Sequence, residues 1–535
     1  MLPHSILMNL TVTEQAEEEQ PIKVWVLISA TGIGAFLASI DGTIVNISLP
    51  QMMESLNVPQ HLVQWIILSY LLTMIAFTTV SGDLGDRFSN KIVFQAGMII
   101  FSLASLLCFF ARSLFVLVIF RIIQGIGATG MVSNGMAIIT RLTTKEKRGL
   151  AIGLNSLLVA VAIALGPLLG GALTEYLDGV LMYKGDPYSG WPFIFLINVP
   201  IGLAGFFWVQ HIIPPTPRLE ETRRKADVPG SLFLSGFLFF IVFCFSVFAS
   251  VFDHTFFAPD AEDFPGDIPI TRFKMDVGTF GNHPKWWSLI FLVLSIILLI
   301  LFIWWEKEKT DHPVVDLSMF KNRRFTVGVT TGVLAYIGLC VIIFQLPFFV
   351  QQILNYETMQ TGIAIMGTPI GMAIAAAVAG SIANKVDVKY LSTAGIGMMV
   401  VALVLGAVFI TESVTTGIIA VIATIIGISL GVFIAPNNTS VMSSAPENKL
   451  GIANSMLSLS TNVGFSLGTA LATVVIAYTQ NAFQRVNGGE VLDIENYVPA
   501  MRVLFAIFAV FMLFSTIVSY FRGPKIMEEK DEVTN

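Results

Sequence analysis

Of the chain's 535 residues, 55% are hydrophobic and only 12% charged, and the mean hydropathy is +0.77. A soluble protein of this length carries about twice that share of charge, so a soluble globular enzyme is excluded. The net charge of −6 sits largely in polar stretches such as EQAEEEQ and MEEKDEV near the two ends, which gives no ground for a nucleic-acid partner.

Charge-free runs of roughly twenty residues, the length that crosses a ~30 Å hydrocarbon layer, recur along the chain. They predict an all-α polytopic membrane protein with spans near 24–50, 61–81, 92–111, 114–140, 149–173, 193–211, 229–252, 286–305, 326–350, 358–383, 391–411, 415–437, 450–478 and 503–521. The polar start up to Gln20 reads as a tail rather than a cleaved leader. The eighth span opens on Trp286-Trp287 and closes on Trp304-Trp305, as two membrane interfaces prefer. With both termini cytoplasmic, 22 of the 30 lysines and arginines fall inside, 7 outside, and one, Arg121, within a helix. That distribution satisfies the positive-inside rule. Two outer segments are long, 174–191 and 253–285. The three cysteines, Cys108, Cys244 and Cys340, lie far apart in apolar runs and have neither disulfide nor metal-ligand spacing.

A weak internal repeat divides the chain. GDLGDRFSNK (82–91) follows the second span and GSIANKVDVK (380–389) the tenth, with Asn384 and Lys385 where Asp86 and Arg87 stand. Gly149 and Gly166 match Gly451 and Gly468 with the same separation. This pairs spans 1–6 with spans 9–14 and leaves two as an insert, a common transporter plan with the substrate site between the halves. The expected organisation is a tail (1–22), a six-helix bundle (23–211), a linker with two extra helices and an outer loop (212–325), a second bundle (326–521) and a tail (522–535).

The first span holds Asp41 inside FLASIDGTIVNISLP. A carboxylate at the centre of a spanning helix costs on the order of 3 kcal/mol, so it faces protein or water. It is either a solvated group near the outer interface or a protonatable group on a translocation path. Taking Pro50 as the outer end puts Asp41 about 13 Å deep at 1.5 Å per residue, and Arg121 lies about as deep below Arg112. Equal depth and opposite sign predict a pair, in which attraction and burial push the carboxyl in opposite directions. Arg121 opens RIIQGIGATGMVSNG, which is rich in helix-packing glycines and adds Gln124, Ser133 and Asn134 as polar groups. In ALGPLLGGAL, Gly166 and Gly170 allow close approach while Pro167 removes a helical hydrogen bond; packing alone explains this as readily as a hinge. In the turn at 82–91, Asp86 would favour the start of the third helix, and Arg87 and Lys91 set topology or function. Candidate cavity residues are Gln64, Trp65, Asn134, Asn155, Gln345, Phe348 and Asn437, polar or aromatic groups in spans expected to face the cavity. There is no Gly-Lys dipeptide for a phosphate loop, no H-E-x-x-H and no mid-span histidine, so no metal, cofactor or catalytic role is expected.

Taken together the motifs resemble the major facilitator superfamily, specifically its fourteen-helix drug:proton antiporters of the EmrB/QacA type. LASIDGTIVNISLP resembles the first-helix motif L-D-x-T-I-V-N-V-A-L-P; GDLGDRFSNK resembles G-x-L-a-D-R-x-G-R-K, with Ser89 and Asn90 as departures. RIIQGIGATG, GPLLGG, WPFIFLINVPIG and DHPVVDLSMFKNRRF also match that family, over about residues 25–520. The resemblance implies two six-helix bundles plus two extra central helices and alternating access, with efflux of amphipathic compounds or drugs driven by inward proton flow. It implies proton coupling by Asp41 and Arg121, a cytoplasmic gate motif at Gly82, Asp86, Arg87 and Lys91, and an antiporter helix shaped by Gly166, Pro167, Gly170 and Gly171. A specific metabolite exporter or symporter is the alternative. No acidic residue lies within the tenth span, Glu357 being at its outer mouth, which favours a substrate with at most one positive charge. The expected setting is the inner (plasma) membrane; in a double-membrane envelope a periplasmic adaptor and outer-membrane channel would be partners.

Overall fold

A computed structural model describes residues 23–180, 182–183, 186–187, 189–214, 227–250, 284–310, 313–382, 386–446, 449–487 and 494–523. The N-terminal tail, all but the first two residues of the C-terminal tail, the basic run 217–225, nearly all of 253–285, and the matched Asn384 and Lys385 lie outside the described residues.

Fourteen helices are long and apolar enough to span a membrane. They are α1 (Val24–Ser55), α2 (Gln60–Arg87), α3 (Asn90–Phe110), α4 (Leu114–Leu142), α5 (Lys145–Tyr176), α6 (Phe193–Ile212) and α7 (Val228–Ser250). The series continues with α8 (Pro284–Glu308), α9 (Arg323–Ile353), α10 (Thr358–Ile382), α11 (Val388–Phe409), α12 (Thr416–Ser443), α13 (Leu450–Asn487) and α14 (Ile494–Tyr520). Among the described residues an even number of crossings leaves Lys23 and Gly523 on one face, here called proximal, the opposite face being distal. Among the described residues the only strands are two-residue pieces of a hairpin in the loop after α5, pairing Met182 with Pro187.

Many helices outrun their apolar runs. Hydropathy marks the hydrocarbon slab, but the backbone ladder continues until a side chain ends it. Ser113, Asn322, Asp387 and Thr415 accept backbone amides at the starts of α4, α9, α11 and α12 and so fix those boundaries. Pro50 does not end α1, which runs on to Ser55. Its missing amide removes one hydrogen bond without stopping the helix. Asp41 therefore lies fourteen residues, about 21 Å, from the distal end of α1, deeper than a helix ending at Pro50 implies. The distal end of α9 is irregular, with π-helical turns at Val341–Gln345 and Phe349–Ile353 on either side of Pro347.

Packing repeats between the halves. In the first, α1 packs on α5, α2 on α4, and α3 on α4 and α6; in the second, α9 packs on α13, α10 on α12, and α11 on α12 and α14. The insert helices α7 and α8 pack on each other, and α7 rests on α2 and α13. α8 turns Leu289, Val293, Ile297 and Ile300 outward, a lipid-facing stripe at helical spacing. Both halves are bundles whose apolar faces are buried inward and exposed to lipid outward.

The halves meet mainly near the distal face. Gln60 donates to Gln345 (3.0 Å), Gln351 donates to the Ile47 carbonyl (2.9 Å), and the Met359 amide donates to Glu175 (2.8 Å). Every α1 residue from Ile44 to Pro50 is buried, yet Phe36, Ser39, Gly42 and Thr43 are partly exposed. That stripe ends at a void of about 20 Å³ lined by Thr43, Asn46, Pro167, Ile343 and Thr368, no larger than a single water needs. The halves thus touch near the distal face, and we read the partly exposed stripe of α1 proximal to that contact as the wall of a cleft.

Candidate functional site

The deepest polar cluster lies inside the first bundle. Asp41, fully buried, accepts at Oδ2 from Arg121 Nη1 (2.5 Å), and at Oδ1 from Gln124 Nε2 (2.9 Å) and Asn198 Nδ2 (3.0 Å). Arg121 also donates through Nε to the Ile66 carbonyl (3.0 Å) and through Nη1 to Gln124 Oε1 (2.6 Å). Its guanidinium lies 4.3 Å from the centre of the Tyr70 ring and 5.7 Å from that of Phe195. Ser105 accepts from Gln124 at 2.8 Å. Helices α1, α2, α3, α4 and α6 thus converge on one carboxylate. Three donors and no acceptor face it, a set that fits the ionised form. The expected Asp41–Arg121 pair is present, although the equal depths it was reckoned from are not, since α1 runs on to Ser55 while α4 starts at Leu114. Asn198, Tyr70 and Ser105 were not anticipated; Asn198, the one amide in the interior of the apolar run 193–211, was the available signal.

Only one residue separates this cluster from the cleft. A methyl group on Gly42 would meet nothing within 4 Å. Asp41 faces the bundle while its neighbour borders open space.

The stretch from Gly166 to Gly171 is where α5 meets both α1 and the other half. A methyl on Gly166 would lie 2.0 Å from Thr43 Oγ1, one on Gly170 2.7 Å from the Ile44 carbonyl, and one on Gly171 2.8 Å from Met359 Cα. Gly362 of α10 reciprocates, its missing methyl 2.3 Å from the Pro167 carbonyl. These glycines let backbones touch, and the resulting contact belongs to the distal seal.

In the 82–91 motif every recorded bond stays within the first half. Asp86 pairs with Arg141 (2.6 Å), Arg87 with Asp83 (2.7 Å), and Lys91 donates to the Gln210 carbonyl (3.1 Å). A side chain on Gly82 would enter open space. Asn90, one of the two departures from the motif, donates to Asn134 (2.9 Å).

None of the seven expected cavity residues lines the cleft as an open surface; all are buried. Gln64 donates to the His61 carbonyl and Ser246 and accepts from Thr473, joining α2, α7 and α13. Trp65 donates to Ser246 and packs against Phe239 and Phe243 of α7. Gln345 bonds Tyr497 and Gln60, and Phe348 packs on Phe344 in an apolar cluster shared with α1 and α2. These four belong to the shut distal part. Asn134 is spent on Ser81, Gly130 and Asn90, Asn437 on Gly328 and Arg522, and Asn155 is buried on α5. The physical reason is shared: an amide within an apolar slab is most stable when hydrogen-bonded to protein, within its own half as for Asn134 and Asn437 or across the distal contact as for Gln64 and Gln345.

Two G-x-S-x-G strings, at 427–431 and 464–468, lie within α12 and α13 with Ser429 and Ser466 buried. A nucleophile needs that motif on a strand-to-helix turn, so neither is a catalytic site. All three cysteines are free and buried, and among the described residues no cluster of three or more potential metal ligands exists.

The Major Facilitator Superfamily model matches residues 31–266, 277–469 and 328–534, and the chain belongs to that superfamily. It is a multi-pass membrane transporter of small molecules, not an enzyme. The riboflavin transporter RibZ of Clostridioides difficile is 29% identical over 83% of this chain and 87% of its own length. The multidrug export protein EmrB of Escherichia coli is 27% identical over 86% of this chain and 82% of its own length. Beyond the superfamily, this fourteen-span chain is thus similar both to multidrug exporters and to a riboflavin transporter. A bacterial homologue of the human lysosomal transporter Spinster, solved inward-facing and occupied, shares the fold with a TM-score of 0.64 at 16% identity, covering 94% of this chain and 97% of that one.

Proposed function

We propose that this member of the superfamily is a proton-coupled antiporter that exports amphipathic small molecules by alternating access. The observation that carries the proposal is the fully buried Asp41, held by Arg121, Gln124 and Asn198 one residue from the cleft. In the proximal-open state the carboxylate has lost its proton and its charge is met by three donors. When the distal seal opens, a proton from that side neutralises Asp41. Arg121 then keeps the Gln124 and Ile66 oxygens and the Tyr70 face, so its own charge is not abandoned. Return to the proximal-open state discharges the proton and admits new substrate. One proton moving inward yields about 2.3 kcal/mol per 100 mV, enough to concentrate a neutral substrate about fifty-fold.

Similarity to a riboflavin transporter favours a second reading, a carrier for one ring-bearing metabolite on the same coupling site. In an envelope with two membranes, an adaptor and outer-membrane channel would dock on the distal face. Proteoliposome flux tests the coupling: substrate addition should release protons in the wild type and not in Asp41→Asn. Unchanged proton movement in that variant would overturn the proposal. A panel of flavins and amphipathic cations in the same assay separates the two substrate readings.

A further inference from the structure

Among the described residues outside the Asp41 cluster, one pair of acidic side chains is buried with no cation paired to it, in the insert between the halves. Asp227 precedes α7 and Glu306 lies in the last turn of α8; they are 4% and 5% exposed. A methyl group built on Gly230 would stand 2.5 Å from Asp227 Oδ2 and 2.9 Å from Glu306 Oε1, so those oxygens are no farther apart than the sum of the two distances. At such a separation two carboxylates do not both ionise readily. Asp227 Oδ1 accepts from the Gly230 amide (2.8 Å) and from Trp305 Nε1 (2.8 Å); Glu306 Oε1 accepts from the Val315 amide (3.4 Å). The second oxygens, Asp227 Oδ2 and Glu306 Oε2, are buried with no hydrogen-bond partner.

Neighbouring acidic groups have their own partners. Asp316, on the link to α9, pairs with Lys449 and Ser318, and at the proximal end of α2 Asp83 pairs with Arg87 and Asp86 with Arg141. Cys244 is the only titratable residue of α7. On the end of α8, Lys309 lies over the Trp304 ring, and Lys307 and Glu308 are exposed. Arg323 and Arg324 open α9, on the far side of the link. Among the described residues no lysine, arginine or histidine forms an ion pair with Asp227 or Glu306.

We propose that Asp227 and Glu306 form a second proton-binding site, holding one proton between them at neutral pH and clasping α7, α8 and the link into α9. Helix polarity assigns the proton. Asp227 caps the start of α7, where negative charge is favoured; Glu306 lies at the end of α8, where it is disfavoured. Asp227 therefore carries the charge and Glu306 the proton. Loss of that proton at higher pH sets two buried charges against each other and loosens the link at Val315. This site is independent of the coupling role given to Asp41.

Difference infrared spectroscopy of the full chain in lipid nanodiscs, in an Asp41→Asn background, tests the assignment. A protonated-carboxyl band should be present at pH 7 and disappear in Glu306→Gln. In Asp227→Asn the band should titrate at least one pH unit lower than in the parent, because the repelling charge is gone; this variant decides between the outcomes even if Glu306→Gln does not fold. No band at pH 7, a band undiminished by Glu306→Gln, or an unmoved midpoint in Asp227→Asn would each overturn the site. So would a band that emerges only after Arg223, Arg224 and Lys225 are changed to Gln, since the pair would then be ionised and neutralised by that run. Hydrogen exchange across 313–322, corrected for intrinsic rates, should quicken above the midpoint in the parent and not in Glu306→Gln. Equal pH dependence in both would overturn the clasp.

Discussion

Asp41 is held by one guanidinium and two amides, and changing the carboxylate, one amide or the guanidinium makes three different predictions. Asp41→Asn removes the titrating group, so proton-driven flux should fall more than tenfold, while downhill substrate exchange persists in protein that still elutes as a folded species. Asn198→Ala removes one of two donors on Oδ1. A hydrogen bond to a charged group contributes about 1.5–3 kcal/mol, so proton-driven flux in proteoliposomes should fall roughly tenfold or more while the protein still elutes as a folded species. Arg121→Lys keeps the charge but loses the fork that reaches Ile66, Asp41 and Gln124 from one planar group. Its coupling should fall between those of wild type and Asp41→Asn. Of this cluster, Asp41, Arg121 and Gln124 stand out in the sequence because polar groups in apolar runs are conspicuous. Tyr70 and Ser105 do not, since residues of both types are ordinary in helices.

At the level of single helices, the glycines of α5 and α10 decide how closely the halves meet. Gly171→Ala and Gly362→Ala place methyl groups against backbone atoms, which cannot rotate away. Overpacking of this kind costs about 1–3 kcal/mol, charged here to the distal-shut state alone. Both variants should populate the distal-open state more, read as faster alkylation of Gln351→Cys from the distal side; unchanged labelling would show that the seal does not depend on this contact. The link before α9 offers a contrast at the surface. Burial raises the Asp316 carboxyl, but hydrogen bonds from Lys449 and Ser318 outweigh it and hold the group below its ordinary range. A lowered carboxyl stabilises the fold above its unfolded value, and that contribution is lost as pH falls through the folded value. Asp316→Asn should therefore cost up to about 1 kcal/mol at pH 7 and nothing in strong acid, compared by thermal unfolding at both pH values.

Across the whole molecule, the two halves are shut distally by Gln60–Gln345, Gln351–Ile47 and Glu175–Met359. On the proximal side, among the described residues, Asp86 and Arg87 pair within their own half. Alternating access requires the distal contacts to part in every cycle. Oxidation of a Gln60→Cys, Gln345→Cys pair should stop transport, and reductant should restore it. An Arg87→Cys variant should label with a membrane-impermeant maleimide from the proximal side in the same cross-linked protein. Full activity of the cross-linked form would mean that the distal contacts are not a gate.

Several of these features are properties of composition and order along the chain. Apolar runs of bilayer length fix fourteen spans, because a lone helix can cross hydrocarbon only if its own side chains are apolar. The weak match of Gly149 and Gly166 with Gly451 and Gly468 pointed to the pairing of spans 1–6 with 9–14, and the isolated charges Asp41 and Arg121 pointed to each other. Which face of each helix looks into the cleft was not legible, as the burial of Gln64, Gln345 and Asn437 shows: a polar residue in a span seeks a partner whether that partner is a neighbouring helix or water. The conformation, the third and fourth members of the Asp41 cluster, and the buried meeting of Asp227 with Glu306 depend on contacts such as those between residues 157 and 304 positions apart. Those were decided only by the tertiary packing, because the free energy of a buried charge is set by what surrounds it and not by its neighbours in the chain.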